Sequence, residues 1–221
     1  MTSQEIFSRI DHTLLKATAS WQDIQTLCGE ALRYNTASVC IPPSFVKPVF
    51  EAYGNAPVIC TVIGFPLGYS ITAAKVLETE RAVSSGAAEI DMVINIGDVK
   101  GGHFDWALEE IKLIRAACAG KILKVIVETC YLTEDEKIRL CEIVTESGAD
   151  FIKTSTGFGT AGATLADVEL FKRHIGPGVK IKAAGGVKTR GDLEAFIAAG
   201  ASRIGTSSAV KLLSGGATAG Y

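Results

Sequence analysis

The feature that most limits what this chain can fold into is an alternation sustained from one end to the other. Short β-branched runs recur eight times, and an amphipathic stretch separates each from the next. The runs are RIDHTLL around His12, ASVCI from Ala37, VICTVIG from Val58, EIDMVIN from Glu89, KVIVET from Lys124, FIKTST from Phe151, KIKAAGG from Lys180 and RIGTSS from Arg203. The first is the least regular, being short and opening on charged residues. Strands buried on both faces and joined through helices make a parallel sheet. Eight such units in 221 residues predict a closed (β/α)8 TIM barrel, a single domain over residues 1–221, with a doubly wound open sheet as competitor.

The segments between the runs carry helix punctuation. Ser20 is placed to N-cap a helix over residues 20–34, and Thr133-Glu134-Asp135-Glu136 has capping-box spacing before KIRLCEIV. Three helices end alike, at SGAAEI, SGADFI and AGASRI, where Gly86, Gly148 and Gly200 can take the left-handed C′ position. No Pro/Gly/Ser-rich linker divides the chain, and SGGATAGY at residues 214–221 reads as a mobile C-terminal tail.

Composition narrows the partners. Apolar residues make up 48% of the chain and charged residues 21%, ordinary for a soluble protein with a substantial core. A net charge of −2 supplies no basic field for nucleic acid or an anionic membrane. The expected partner is therefore a small molecule, and a phosphorylated metabolite suits a local anion site. No apolar run approaches the ~18 residues needed to span a bilayer, and MTSQEIFSRIDHTLL lacks the signal-peptide pattern. Cysteines at 28, 40, 60, 118, 130 and 141 show no C-x-x-C or zinc spacing and read as reduced thiols of a cytoplasmic protein. Histidines 12, 103 and 174 are too scattered to suggest a metal cluster. A homodimer is compatible with the sequence, which does not set the oligomeric state.

Gly157, Gly159 and Gly162 in FIKTSTGFGTAG have the G-x-G-x-x-G spacing of a dinucleotide turn. Their context opposes that reading. The next helix starts near Thr164, so the glycines lie in a long loop. The following run carries Lys182 rather than a ribose-binding acid, and no second βαβ half comes after it.

Three runs carry charge where an apolar residue would pack more cheaply: Asp91 in EIDMVIN, Lys153 in FIKTST and Lys182 in KIKAAGG. One explanation is a buried structural ion pair with the other lysine reaching solvent. The other is an imine-forming site. An amine beside a second cation in a desolvated pocket loses its proton more readily, and a nearby carboxylate can move protons. Gly185-Gly186 and Ser207-Ser208 end runs seven and eight, where barrels often bind phosphate, and Thr156-Gly157 can add donors. From these residues alone, a metal-free aldolase, a phosphate-binding epimerase or isomerase, and a non-catalytic sugar-phosphate sensor all remain open.

IDHTLL, EIDMVIN, KVIVET, FIKTSTGF, KAAGGV and GTSS, in that order over nearly the whole length, resemble the deoxyribose-phosphate aldolase family of class I aldolases. The resemblance implies reversible cleavage of 2-deoxy-D-ribose 5-phosphate to glyceraldehyde 3-phosphate and acetaldehyde, in deoxyribonucleotide catabolism, with no metal and no cofactor. It implies that Lys153 is the Schiff-base lysine, Lys182 the cation that lowers its pKa, and Asp91 the carboxylate of the proton relay. Asp11, Thr13, Cys40 and Lys124 match positions around the substrate, and Tyr221 resembles a terminal tyrosine used in proton transfer. Thr156, Gly157, Gly185, Gly186, Ser207 and Ser208 match phosphate contacts. Phe158 departs from relatives with lysine there, which leaves the phosphate more dependent on backbone dipoles.

Overall fold

The computed structural model describes residues 1–214, in which eight parallel strands form a closed barrel. They are β1 Ile10–Thr13, β2 Ser38–Ile41, β3 Ile59–Ile63, β4 Glu89–Val93, β5 Ile122–Ile126, β6 Phe151–Lys153, β7 Lys180–Ala184 and β8 Arg203–Thr206. Neighbours follow chain order, and β8 closes on β1 with Ile204 opposite Ile10 and Gly205 opposite Asp11. The ring excludes the open-sheet alternative. Helix α1, Ser3–Phe7, precedes β1. The crossovers carry α2 Trp21–Tyr34, α3 Val46–Tyr53, α4 Thr72–Ser84, α5 Ile96–Lys100, α6 Phe104–Ala117, α7 Glu134–Glu146, α8 Leu165–His174 and α9 Arg190–Ala199. A last turn, α10 Ala209–Leu213, follows β8.

The caps act where the sequence places them. Ser20 and Thr133 each accept the N–H three residues on, and Asp23 and Glu136 return a carboxylate to the cap N–H. Gly86 and Gly148, at φ +112° and +74°, follow the caps of α4 and α7. Gly200, at φ +128°, is itself the cap of α9, one position earlier than expected.

Strand alternation separates two interiors. Outward residues such as Ile10, Val39, Ile90, Val125, Ile152 and Ile204 pack under helix residues including Ile24, Ile111, Leu140 and Phe171. Inside the barrel, Cys40, Cys60 and Val62 form a small apolar group with Leu15 and Phe65. Much of the remaining interior is charged: Asp11, Glu89, Asp91, Lys124, Lys153 and Lys182 are all buried. Branched aliphatic residues usually dominate that space. The irregular first run is explained in part, because its Asp11 faces inward, while Arg9 precedes β1.

Of the boundaries that differ from the sequence reading, two bear on the site. β5 starts at Ile122, two residues early, where it pairs with Glu89. β6 stops at Lys153, because Thr156 leaves the sheet to donate to Glu128. Tyr221 and tail residues 215–221 lie outside the described residues.

Candidate active site

Asp91 on β4 stands at the centre of the charged interior. Its Oδ2 accepts from Lys153 Nζ at 2.7 Å and Lys182 Nζ at 2.6 Å. Its Oδ1 accepts from Lys124 Nζ at 2.7 Å and from the Cys60 thiol at 3.2 Å. Pairing register produces this convergence: Asp91 lies opposite Lys124, and Lys153 opposite Lys182. A second tier completes the cluster. Asp11 accepts from Lys182, Ser38 and Arg203, and Lys124 reaches Glu89 at 2.6 Å. Arg203 also holds Glu89, at 3.1 Å.

Charge balance singles out one amine. Among the described residues, and within 4 Å, Lys124 meets three carboxylates, Lys182 and Arg203 meet two each, and Lys153 meets Asp91 alone. Among the described ion pairs of this cluster three carboxylates face four cations, so these groups balance when one cation is neutral. Burial opposes charge here, yet for Asp11, Asp91, Lys124, Lys182 and Arg203 the pairing outweighs it. Despite burial, Lys124, Lys153 and Lys182 hold the Asp91 carboxyl well below its usual range. Asp11 and Asp91 likewise overcome burial and hold the Lys182 ammonium above its ordinary value. Lys182 is therefore a standing cation on the same oxygen as Lys153.

Around this floor the other expected residues take distinct places. Cys40 is fully buried beside the apolar group, and the Thr13 hydroxyl donates to the Asp11 carbonyl at 2.8 Å. A cavity of about 320 Å³ is lined by Thr13, Lys16 and Ser207 among others. Gly185 and Gly186, at φ +78° and +77°, form the turn after β7, and Ser208 donates its N–H to Thr206. Thr156 does not face open space. Both its N–H and its hydroxyl donate to Glu128, while its Oγ1 accepts the Phe158 N–H at 3.0 Å. The Phe158 ring, 55% exposed, meets Phe65 edge-on at 5.3 Å.

The glycines of the G-x-G-x-x-G stretch serve loop contact. A Cβ on Gly162 would come within 2.4 Å of the Gly185 carbonyl carbon, so only glycine lets these turns touch.

Among the described residues, two donor sets have the spacing to hold a metal: Cys40, Cys60 and Asp91, and Asp11, Cys60 and Glu89. The Lys124 ammonium already lies against Cys60, Asp91 and Glu89, taking the place a cation would use. The residues fit an internal ammonium better than an added ion.

Glu89, Arg203 and Glu128 were not singled out from sequence. Their signal was strand parity: Glu89 is two before Asp91, and Glu128 four after Lys124. Glu128 also adopts φ +57°, a left-handed conformation costing a glutamate about 1–3 kcal/mol. Burial pushes its carboxyl up, against hydrogen bonds from Thr156 and the charge of Lys153.

A family model described as DeoC/LacD family aldolase matches residues 6–218. The chain is 59% identical to the deoxyribose-phosphate aldolase of Clostridium botulinum (strain Alaska E43 / Type E3), over the full length of both. Among solved structures, the aldolase QR15 superposes with a TM-score of 0.91 at 39% identity, over 95% of each chain. The tetrameric deoxyribose phosphate aldolase from Aeropyrum pernix gives 0.88 at 30% identity, over 96% of this chain and 91% of its own.

Proposed function

The chain belongs to the DeoC/LacD aldolase family, and we propose from that premise how its residues divide the work of a deoxyribose-phosphate aldolase. The reaction is the reversible cleavage of 2-deoxy-D-ribose 5-phosphate to D-glyceraldehyde 3-phosphate and acetaldehyde, a class I reaction that runs through a lysine imine. The observation that carries the assignment is Asp91 Oδ2, shared by Lys153 and Lys182.

Neutral Lys153 attacks the C1 aldehyde of the open-chain sugar, and the carbinolamine loses water to leave a protonated imine. The C3 hydroxyl then gives up its proton, the C2–C3 bond breaks, and its electron pair flows into the imine to form an enamine. Glyceraldehyde 3-phosphate leaves. The enamine takes a proton at C2, and water releases acetaldehyde and restores the amine. Lys182, held as a cation by Asp11 and Asp91, favours the neutral form of its neighbour by like-charge repulsion.

Asp91 relays the protons. Three lysines keep it ionised, but one of those charges is withdrawn whenever Lys153 nitrogen is neutral. The carboxylate is then a better acceptor, and it can return the proton as the imine forms. Asp11 and Lys124 hold this pair from below. Thr13 and Cys40 border the substrate, and Gly157, Gly185, Gly186, Ser207 and Ser208 surround its phosphate. Tyr221 would act from the tail. The partners in this reading are a sugar phosphate and aldehydes, in the cytoplasm. No described helix is long and apolar enough to cross a membrane.

Purified protein given 2-deoxy-D-ribose 5-phosphate should release both aldehydes at a rate unchanged by EDTA, and Lys153→Ala should reduce release to background. Rearrangement without carbon–carbon cleavage would favour an isomerase. Binding without turnover would favour a sensor.

A further inference from the structure

Glu128 is an expensive residue to place where it is. Its backbone is left-handed, its side chain is 2% exposed, and it touches neither Asp91 nor any lysine within 4 Å among the described ion pairs. Apart from the Cys130 thiol, 4.0 Å from Oε1, the described hydrogen bonds to its carboxylate come from one neighbour. Thr156 donates its N–H to both oxygens at 3.2 Å and its hydroxyl to Oε2, and that hydroxyl oxygen accepts the Phe158 N–H. Glu128 therefore fixes the peptide units on either side of the Thr156–Gly157 unit, directly at the Thr156 N–H and through the Thr156 hydroxyl at the Phe158 N–H; Gly157 sits between them at φ +87°.

The same loop is shaped to pass over this carboxylate. A Cβ on Gly159 would lie 3.1 Å from Glu128 Cδ and 2.9 Å from Cys130 Sγ, tight enough to lift the loop. Beyond it, Ala163 N–H donates to the carbonyls of Ala184 and Gly185 at 3.0 and 3.3 Å. A Cβ on Gly185 would meet Gly157 Cα at 3.5 Å. The β6 and β7 turns thus touch at Gly157, pinned by Glu128 on one side and by Ala163 on the other.

We propose that Glu128 is the positioning residue of the phosphate subsite: acting through Thr156, it sets the turn from which Gly157 presents its N–H to the phosphate, and so sets the preference for phosphorylated substrate. The inference rests on the phosphate reading given above and sharpens it. Thr156 and Phe158 have their N–H groups committed within the turn, so Thr156 shapes the subsite rather than binding the anion itself. With phenylalanine at 158, no side-chain cation of this turn substitutes for a misplaced N–H.

The test compares the wild-type enzyme with Glu128→Gly and Glu128→Gln. Glycine accepts the left-handed backbone without strain, so it removes the carboxylate while keeping the chain path. Glutamine keeps an acceptor for the Thr156 N–H and should rescue most of the loss. Kinetics are measured on 2-deoxyribose 5-phosphate and on unphosphorylated 2-deoxyribose, with inorganic phosphate as competing probe. Losing a charge-assisted hydrogen bond predicts that Glu128→Gly raises KM for the phosphorylated sugar and the phosphate inhibition constant by about tenfold or more. Turnover of the unphosphorylated sugar should stay near wild type. Equal losses on both sugars, or an unchanged phosphate constant, would overturn the inference. Ser208→Ala separates the premises: if it leaves phosphate inhibition intact, the phosphate reading fails. If it weakens inhibition while Glu128→Gly does not, only the role of Glu128 fails.

Discussion

A carboxylate that binds three lysines is costly to isolate, and that cost decides what single substitutions do at the centre of the barrel. In Lys182→Met, Asp91 and Asp11 both lose a partner, and the like charge beside Lys153 disappears. We expect kcat to fall by about 100-fold or more. Trapping of acetaldehyde by borohydride should slow in parallel, since the like charge beside the Lys153 amine is gone. Trapping at the wild-type rate would contradict the role given to Lys182. These residues were legible because charge within a strand has few inexpensive explanations. Glu89 and Arg203 were harder to read, since they open their runs and resemble ordinary strand ends. Glu128 was hidden in a loop, where glutamate is unremarkable until its φ is known.

At the level of elements, loop contacts and helix anchoring set how well the rim is built. Gly162→Ala puts a methyl against the Gly185 backbone at 2.4 Å and must separate the β6 and β7 turns. Kinetics should show KM for the phosphorylated sugar rising more than kcat falls. Away from the rim, Lys75 on α4 is wholly buried, giving 2.8 Å to Glu110 on α6 and 2.9 Å to the Val93 carbonyl at the end of β4. Burial pushes the Lys75 ammonium down and the Glu110 carboxyl up. Lys75→Met strands Glu110, so denaturant unfolding should report a loss of about 3–5 kcal/mol. A carboxyl held above its ordinary 4.5 in the folded state regains stability on protonation, so that loss should shrink as pH falls through the raised value towards 4.5. A loss independent of pH would remove Glu110 from the explanation. Helix caps at Ser20 and Thr133 were readable because capping depends on residues three apart. The early end of β6 was not, because it depends on Glu128, nearly thirty residues away.

Across the whole molecule, the charged interior makes stability a function of pH from both directions. Asp11 and Asp91 titrate below their ordinary 3.8 when folded, so their contribution is complete above that value and is lost as pH falls below it. Lys124 and Lys182 titrate above their ordinary 10.5, so theirs is complete below that value and lost as pH rises through the raised values. Unfolding experiments across pH should therefore show the cluster's contribution persisting from about pH 5 to pH 10. A cluster contribution that disappears near neutrality would refute this electrostatic account. The barrel itself was legible because eight alternating runs leave few other topologies. The depth of the ionic floor was not, since strand parity places Asp11, Glu89 and Arg203 inward only once register is fixed. The central claim remains the division between two lysines that share one oxygen. Reduction with borohydride in the presence of acetaldehyde, followed by peptide mass spectrometry, tests it directly. The account predicts an N-ethyl group on Lys153 with Lys182 unmodified; modification of Lys182 instead, or of neither lysine, would contradict it.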